Sequence, residues 1–274
     1  MLIVDAQVHI WKSGAPVGIH RQIPSYTKED LLKEMDEGRV DAALLHPPSW
    51  DPNANEIAIE AASAHPDRLA VLGFFDASRD ESRSLVADWK SQPGMLGLRF
   101  AFLRKGQENW LADGTMDWVW PAAERAGLPV GLLVPNKLKI VAQVAERHPG
   151  LKLLVDHMAR VRHTMDDTGF ADLGDLLALS KYPNVAIKAT GAPSYSSDPY
   201  PYRNIHKYLQ RIFDAFGPER MFWGTDITRM PCTMRQCVTM FTEEMPWLKG
   251  RDLELVMGKA LCDWIDWKLP GNLH

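Results

Sequence analysis

The feature that most constrains this chain is an alternation of strand-like and helix-like segments that continues through nearly all of its 274 residues. Eight short apolar runs rich in β-branched residues stand at 2–8, 41–45, 69–75, 95–100, 129–134, 151–155, 184–188 and 221–225. Runs of this length and composition read as buried strands. Between them apolar residues recur at helical spacing, as in Leu31, Leu32 and Met35, or Leu209, Ile212, Phe213 and Phe216. Four junctions, at 63–72, 146–155, 181–187 and 216–223, carry a proline between a helix end and the next strand. Proline cannot continue a helix, so each helix stops on schedule. Such units in series build a parallel sheet with its helices outside. Eight of them, in a chain close to the roughly 250 residues typical of the architecture, predict one (β/α)₈ TIM-barrel domain spanning residues 1–274. The competing open sheet lacks support, because no Gly-x-Gly-x-x-Gly follows the first run and no P-loop occurs.

Composition narrows the possible partners. The longest stretch without Asp, Glu, Lys or Arg is residues 126–136, far short of the roughly 18 apolar residues a spanning helix needs. No basic, apolar leader opens the chain, so a cytoplasmic protein is expected. Lys and Arg total 31 against 35 Asp and Glu, a net charge of −4 without like-charge runs, which excludes a nucleic-acid footprint. Three cysteines, Cys232, Cys237 and Cys262, lack CxxC spacing and are expected to be reduced packing residues.

In a barrel of this kind chemistry gathers where strands end and the following loops begin. Gln7 and His9 end the first run, His46 the second, Arg99 the fourth, His157 follows the sixth, Lys188 ends the seventh and Asp226 follows the eighth. A period of two puts Asp5, Gln7 and His9 on one face. Arg99, flanked by Leu98 and Phe100, demands a carboxylate or an anionic ligand as partner. Arg160 and Arg229 lie in loops just beyond strands six and eight, and Trp11 follows strand one. These cations in a net-negative protein point to a small anionic substrate, bound by Gln7, Trp11, His46, Lys188, Arg160 and Arg229. Trp11, Trp50, Trp110, Tyr195 and Tyr200 are candidates for an apolar wall, and residues 194–202 for a lid. His20, His163, His206 and His274 fall in loops, a helix or the terminus and carry no signal.

The segments Val-Asp-Ala-Gln-Val-His-Ile-Trp, Val-Asp-His-Met, Asn-Val-Ala-Ile-Lys-Ala-Thr-Gly and Phe-Trp-Gly-Thr-Asp together resemble the amidohydrolase superfamily. The resemblance is to its branch of sugar lactonases and pyrone dicarboxylate lactonases. It implies a hydrolytic water activated by the strand-eight carboxylate, Asp226; with the cationic strand ends, the expectation is a hydrolase opening a small, carboxylated cyclic ester, with His157, His9 and Arg99 as further catalytic residues. The chain departs from the superfamily pattern at Gln7, where a metal-binding histidine is usual, and in a fifth strand ending without His, Lys or Glu. An amide is a poor ligand for a divalent ion compared with imidazole. The expectation is therefore catalysis with no cofactor, the alternative being zinc or manganese at His9, His157 and Asp226. Rival functions are a metal-dependent decarboxylase or amide hydrolase of the same superfamily, and a binding barrel without catalysis. Related barrels are often homodimers, and no interface pattern stands out here.

Overall fold

The computed structural model describes residues 1–103 and 106–269. His274 lies outside the described residues. Eight strands, β1 (Val4–Val8), β2 (Ala42–Leu45), β3 (Leu69–Phe74), β4 (Met95–Ala101), β5 (Val130–Leu133), β6 (Leu153–Val155), β7 (Val185–Thr190) and β8 (Met221–Gly224), pair in chain order. Each is parallel to the next. The ring is completed where the Asp226 N–H donates to the Gln7 carbonyl at 2.8 Å and the Thr225 N–H to the Asp5 carboxylate at 2.8 Å. The chain is a (β/α)₈ barrel, as the repeat predicts.

The strands form because both of their faces are covered. Every residue of β1, β2, β5, β6, β7 and β8 is buried, the pattern of a parallel sheet sandwiched by helices. Outside, helix Lys28–Gly38 opens with Thr27 and Asp30 capping each other's backbone N–H groups and buries Leu31 and Met35. Helix Met234–Thr242 opens the same way through Thr233 and Gln236. The two approach so closely at Gly38 that a Cβ there would stand 2.8 Å from the Met234 side chain. No described helix is long and apolar enough to cross a membrane.

Inside the ring the lower layer is apolar and the upper layer polar. Leu44, Leu154 and Ala186 precede His46, Asp156 and Lys188 by two residues, so each pair shares the inward face of its strand. The three apolar side chains belong to one cluster with Leu72 and Phe222 of the sheet and Leu261, Ile265 and Trp267 of the C-terminal segment. That cluster leaves the strand ends to carry the polar chemistry.

Candidate active site

Two strand ends turn abruptly to present their side chains. After β6, residues 157–159 run through left-handed backbone, with φ of 51°, 56° and 55°, and after β8 Asp226 does the same with φ 50°. Each such non-glycine residue costs about 1 kcal/mol or more, and strain of this kind concentrates at functional sites. The result is a buried cluster. Asp226 Oδ1 lies 3.4 Å from His9 Nε2, Oδ2 lies 3.5 Å from His157 Nε2, and Arg229 Nε lies 2.9 Å from Oδ2. The convergence of strands one, six and eight expected from the sequence is present.

Beneath this cluster sits an ionic hub. Lys188 is fully buried, and its Nζ donates to Gln7 Oε1 at 2.8 Å and Asp156 Oδ1 at 2.7 Å and lies 3.0 Å from His46 Nε2, which is also 3.2 Å from the Ala6 carbonyl oxygen. Asp156 Oδ2 also accepts from Arg99 Nε at 3.0 Å, which supplies the carboxylate partner that Arg99 demands. Burial opposes ionisation of Asp156, but Lys188 and Arg99 outweigh it and hold the carboxyl well below the ordinary range.

The hub decides what Gln7 and His157 can do. Lys188 has only hydrogens to offer, so Gln7 turns its oxygen to Lys188 and its NH₂ to His157 Nε2, 3.0 Å away. His157 Nδ1 in turn faces Thr190, 2.7 Å from Oγ1 and 3.3 Å from the carbonyl oxygen. A carbonyl only accepts, so the proton is on Nδ1 and the Nε2 lone pair is taken by Gln7. His157 is thereby removed from the expected ligand trio of His9, His157 and Asp226.

The third imidazole is His20, a residue that carries no signal in the sequence. It comes from the loop after β1, is 6% exposed, and packs its ring 5.2 Å from that of His9 and 4.8 Å from that of Trp50. Its Nδ1 bonds Thr228 Oγ1 at 2.8 Å, and His9 Nδ1 donates to the His46 carbonyl at 2.6 Å. His9 therefore points a bare Nε2 at Asp226. Single ligand atoms of His9, His20 and Asp226 all lie within 4.8 Å of one another.

Three observations fit this trio to a divalent cation. The buried Asp226 Oδ1 makes no hydrogen bond among the described residues. Its 3.4 Å distance to His9 Nε2 matches the about 3.3 Å between two tetrahedral zinc ligands. Burial depresses His20 to about 3 and His9 to about 4, so both imidazoles are neutral near pH 7, as ligation requires. Burial also disfavours the Asp226 carboxylate, but His9, His20 and Arg229 outweigh it and hold the carboxyl well below its ordinary range. With both imidazoles neutral, Arg229 is the cation that sustains this at pH 7.

A cavity of about 460 Å³, within the range of small-molecule sites, opens above the cluster. His9, His20, Trp50, Arg99 and Arg162 are among its lining residues. Arg162 is a residue that the sequence reading passes over in favour of Arg160. The structure corrects Arg160: its guanidinium is turned away, donating to the carbonyls of Met158 and Gly169 and to Asp172, and lying over Phe170. Trp11 is corrected too, since it is buried against Tyr26 and Trp50 with its Nε1 on the Ile23 carbonyl. Gln7, His46 and Lys188 lie under the site, meet one another and, among the described residues, are not part of the cavity lining. Arg229 faces Asp226 and the Tyr195 hydroxyl, 3.1 Å from its Nη2. The aromatic loop of residues 194–202 is fastened rather than free, with Tyr200 Oη donating to Thr239 Oγ1 at 2.8 Å and Ser196 Oγ to Asn204 Oδ1 at 2.6 Å.

A carboxylate and imidazoles gathered at the C-terminal mouth of such a barrel define a site for polar bond cleavage. Residues 4–261 match the amidohydrolase family, and the chain belongs to it and is a hydrolase. It is 23% identical over 236 residues, covering 81% of this chain and 79% of the relative, to an L-fucono-1,5-lactonase of Burkholderia ambifaria. Among solved structures it resembles an amidohydrolase of Burkholderia multivorans with bound zinc, with a TM-score of 0.83, 19% identity and coverage of 97% and 99% of the two chains. A probable 2-pyrone-4,6-dicarboxylic acid hydrolase of Acinetobacter baumannii with bound citric acid gives a TM-score of 0.75 at 20% identity, covering 97% of this chain and all of the other (100%).

Proposed function

We propose that this protein hydrolyses the ring ester of a small anionic lactone, with Asp226 as the base. The observation that carries the reading is the state of Asp226 Oδ1: buried, ionised and unbonded, directly behind a cavity whose wall holds Arg99 and Arg162. Relatives whose names specify lactone hydrolysis support the choice of bond.

His9, His20 and Asp226 would hold a divalent cation, which when bound would polarise the ester carbonyl and acidify water, Asp226 Oδ1 offering one lone pair to the cation and keeping its second for the proton. The remaining work belongs to the chain. Arg99, with Nε committed to Asp156, keeps the other end of its guanidinium for substrate. Together with Arg162 it holds a carboxylate or the carbonyl oxygen, where negative charge grows as water adds. Asp226 takes one proton from the attacking water, the hydroxyl adds to the acyl carbon, and the ring carbon–oxygen bond breaks. Asp226 then returns that proton to the departing alkoxide, giving an open hydroxy acid. Arg229 holds the carboxylate from its other oxygen.

A panel of sugar lactones and carboxylated lactones, followed by proton release with an indicator, tests the reading. Turnover of at least one member, lost by about 10³-fold or more in Asp226→Asn, is expected. Absence of turnover across the panel, or full activity in Asp226→Asn, refutes it. Ligand-induced stabilisation without turnover would instead mark a binding barrel.

A further inference from the structure

The sequence assigns the cysteines to packing, but the fold gives two of them a different relation. Cys232 Sγ and Cys237 Sγ are 3.5 Å apart. Cys237 sits in the first turns of helix Met234–Thr242, buried, with its carbonyl accepting from Trp223 Nε1 of β8 at 3.2 Å. Cys232 precedes that helix, is half-buried, and contributes to the wall of a surface groove of about 940 Å³ with Arg21, Tyr26 and Arg235. One sulfur is therefore reachable from solvent and the other waits behind it. Cys262, by contrast, is buried in the C-terminal helix with the apolar cluster under the barrel.

We infer that Cys232 and Cys237 are a peroxide-sensitive dithiol pair that closes to a reversible disulfide. The Cys232 thiolate attacks hydrogen peroxide, forming a sulfenic acid and releasing hydroxide. The Cys237 thiol then attacks that sulfur, the sulfur–sulfur bond forms and water leaves, so two thiols and one peroxide give one disulfide and two waters. The sulfurs must approach from 3.5 Å to about 2.0 Å. The Cys232 side makes this movement, because Cys237 is fixed by its helix and by Trp223. Hydrogen bonds from Cys237 and Tyr202 lower the Cys232 thiol, the direction expected of the attacking sulfur, whereas burial pushes Cys262 up to about 12.

Native protein treated with peroxide and quenched with catalase should lose about 2 Da, recovered on reduction. Arg235 lies between the two cysteines, so trypsin separates residues 230–235 from 236–249 and the disulfide appears as a linked pair of peptides. Cys262 should remain free to alkylate after unfolding. In Cys237→Ser, dimedone should label Cys232. The inference is overturned if no linked pair forms in the folded protein, if Cys232 runs on to sulfinic acid while Cys237 stays free, or if dimedone labels Cys262 in preference. The wild-type mass and peptide map decide the matter even where a variant fails to fold.

Discussion

Replacing Gly191 by alanine drives a methyl group into Arg229. Gly191 follows β7 with φ 73°, and a Cβ there would stand 2.0 Å from Arg229 Nη2 and 2.8 Å from Cζ. A carbon–nitrogen contact needs about 3.5 Å, so the guanidinium must retreat by roughly 1.5 Å. The 2.9 Å contact between Arg229 Nε and Asp226 Oδ2 cannot survive such a shift. Two costs follow. Left-handed backbone costs alanine about 1 kcal/mol, and a buried carboxylate stripped of its cation costs about 3–5 kcal/mol. A buried carboxylate that loses its cation can take up a proton instead, which favours the lower end and a total of roughly 4 kcal/mol. At about 2–4 °C per kcal/mol for a domain of this size, the melting temperature should fall by roughly 8–16 °C. Calorimetry of Gly191→Ala in the wild-type chain and in an Arg229→Met background separates the two costs, because without the guanidinium only about 1 kcal/mol of backbone strain remains. The same loss in both backgrounds, or a wild-type melting temperature for Gly191→Ala alone, would refute the argument.

His20→Ala should lower zinc bound per chain to near zero after dialysis against a trace of the metal, as read by elemental analysis; zinc retained at wild-type stoichiometry would remove His20 from the cation site. Lys188→Met leaves Asp156 with Arg99 alone and frees the Gln7 amide, and urea unfolding should report a loss of about 3 kcal/mol. An unchanged urea midpoint would contradict the hub. Asp5 is buried, and desolvation outweighs its bonds from Thr225 and Gln7 to raise it to about 7 from an ordinary 3.8. The folded state therefore keeps a proton that the unfolded chain gives up. This contribution is complete below pH 3.8 and declines by about 1.4 kcal/mol per pH unit up to about 7. Melts of Asp5→Asn across that window should lack the decline; a parallel slope would assign it elsewhere.

The barrel was legible because its signal is redundant: each strand is an apolar run, several are preceded by a proline, and each observed strand end lies within two residues of the run that predicts it. Side chains on strands were legible for the same reason, since a period of two fixes the direction of Gln7, His9 and Lys188 once the strand is placed. Loops have no period. His20 lies in an irregular segment eleven residues after His9, and the only clue available was its place in the loop at the catalytic end of β1. Arg160 and Arg162 differ by two positions beyond a left-handed turn, where spacing gives no facing direction, so which of them reaches the cavity depends on Asp172 and Gly169 holding the other back. The role of Gln7 was half visible. Its departure from a histidine was plain, but not that Lys188 would orient it to occupy His157.

The hub around Lys188 also bears on how the protein can be divided. Its members come from β1, β2, β6 and β7, with Arg99 of β4 reaching the same aspartate, so each half of the chain holds charges whose counterparts lie in the other. A fragment of β1–β4 would leave Arg99 without Asp156, and β5–β8 would leave Asp156 without Arg99 and Lys188 without Gln7. Circular permutants that keep every strand should tolerate new termini in the outer loops, whereas separately expressed halves should be insoluble alone and regain structure only when mixed.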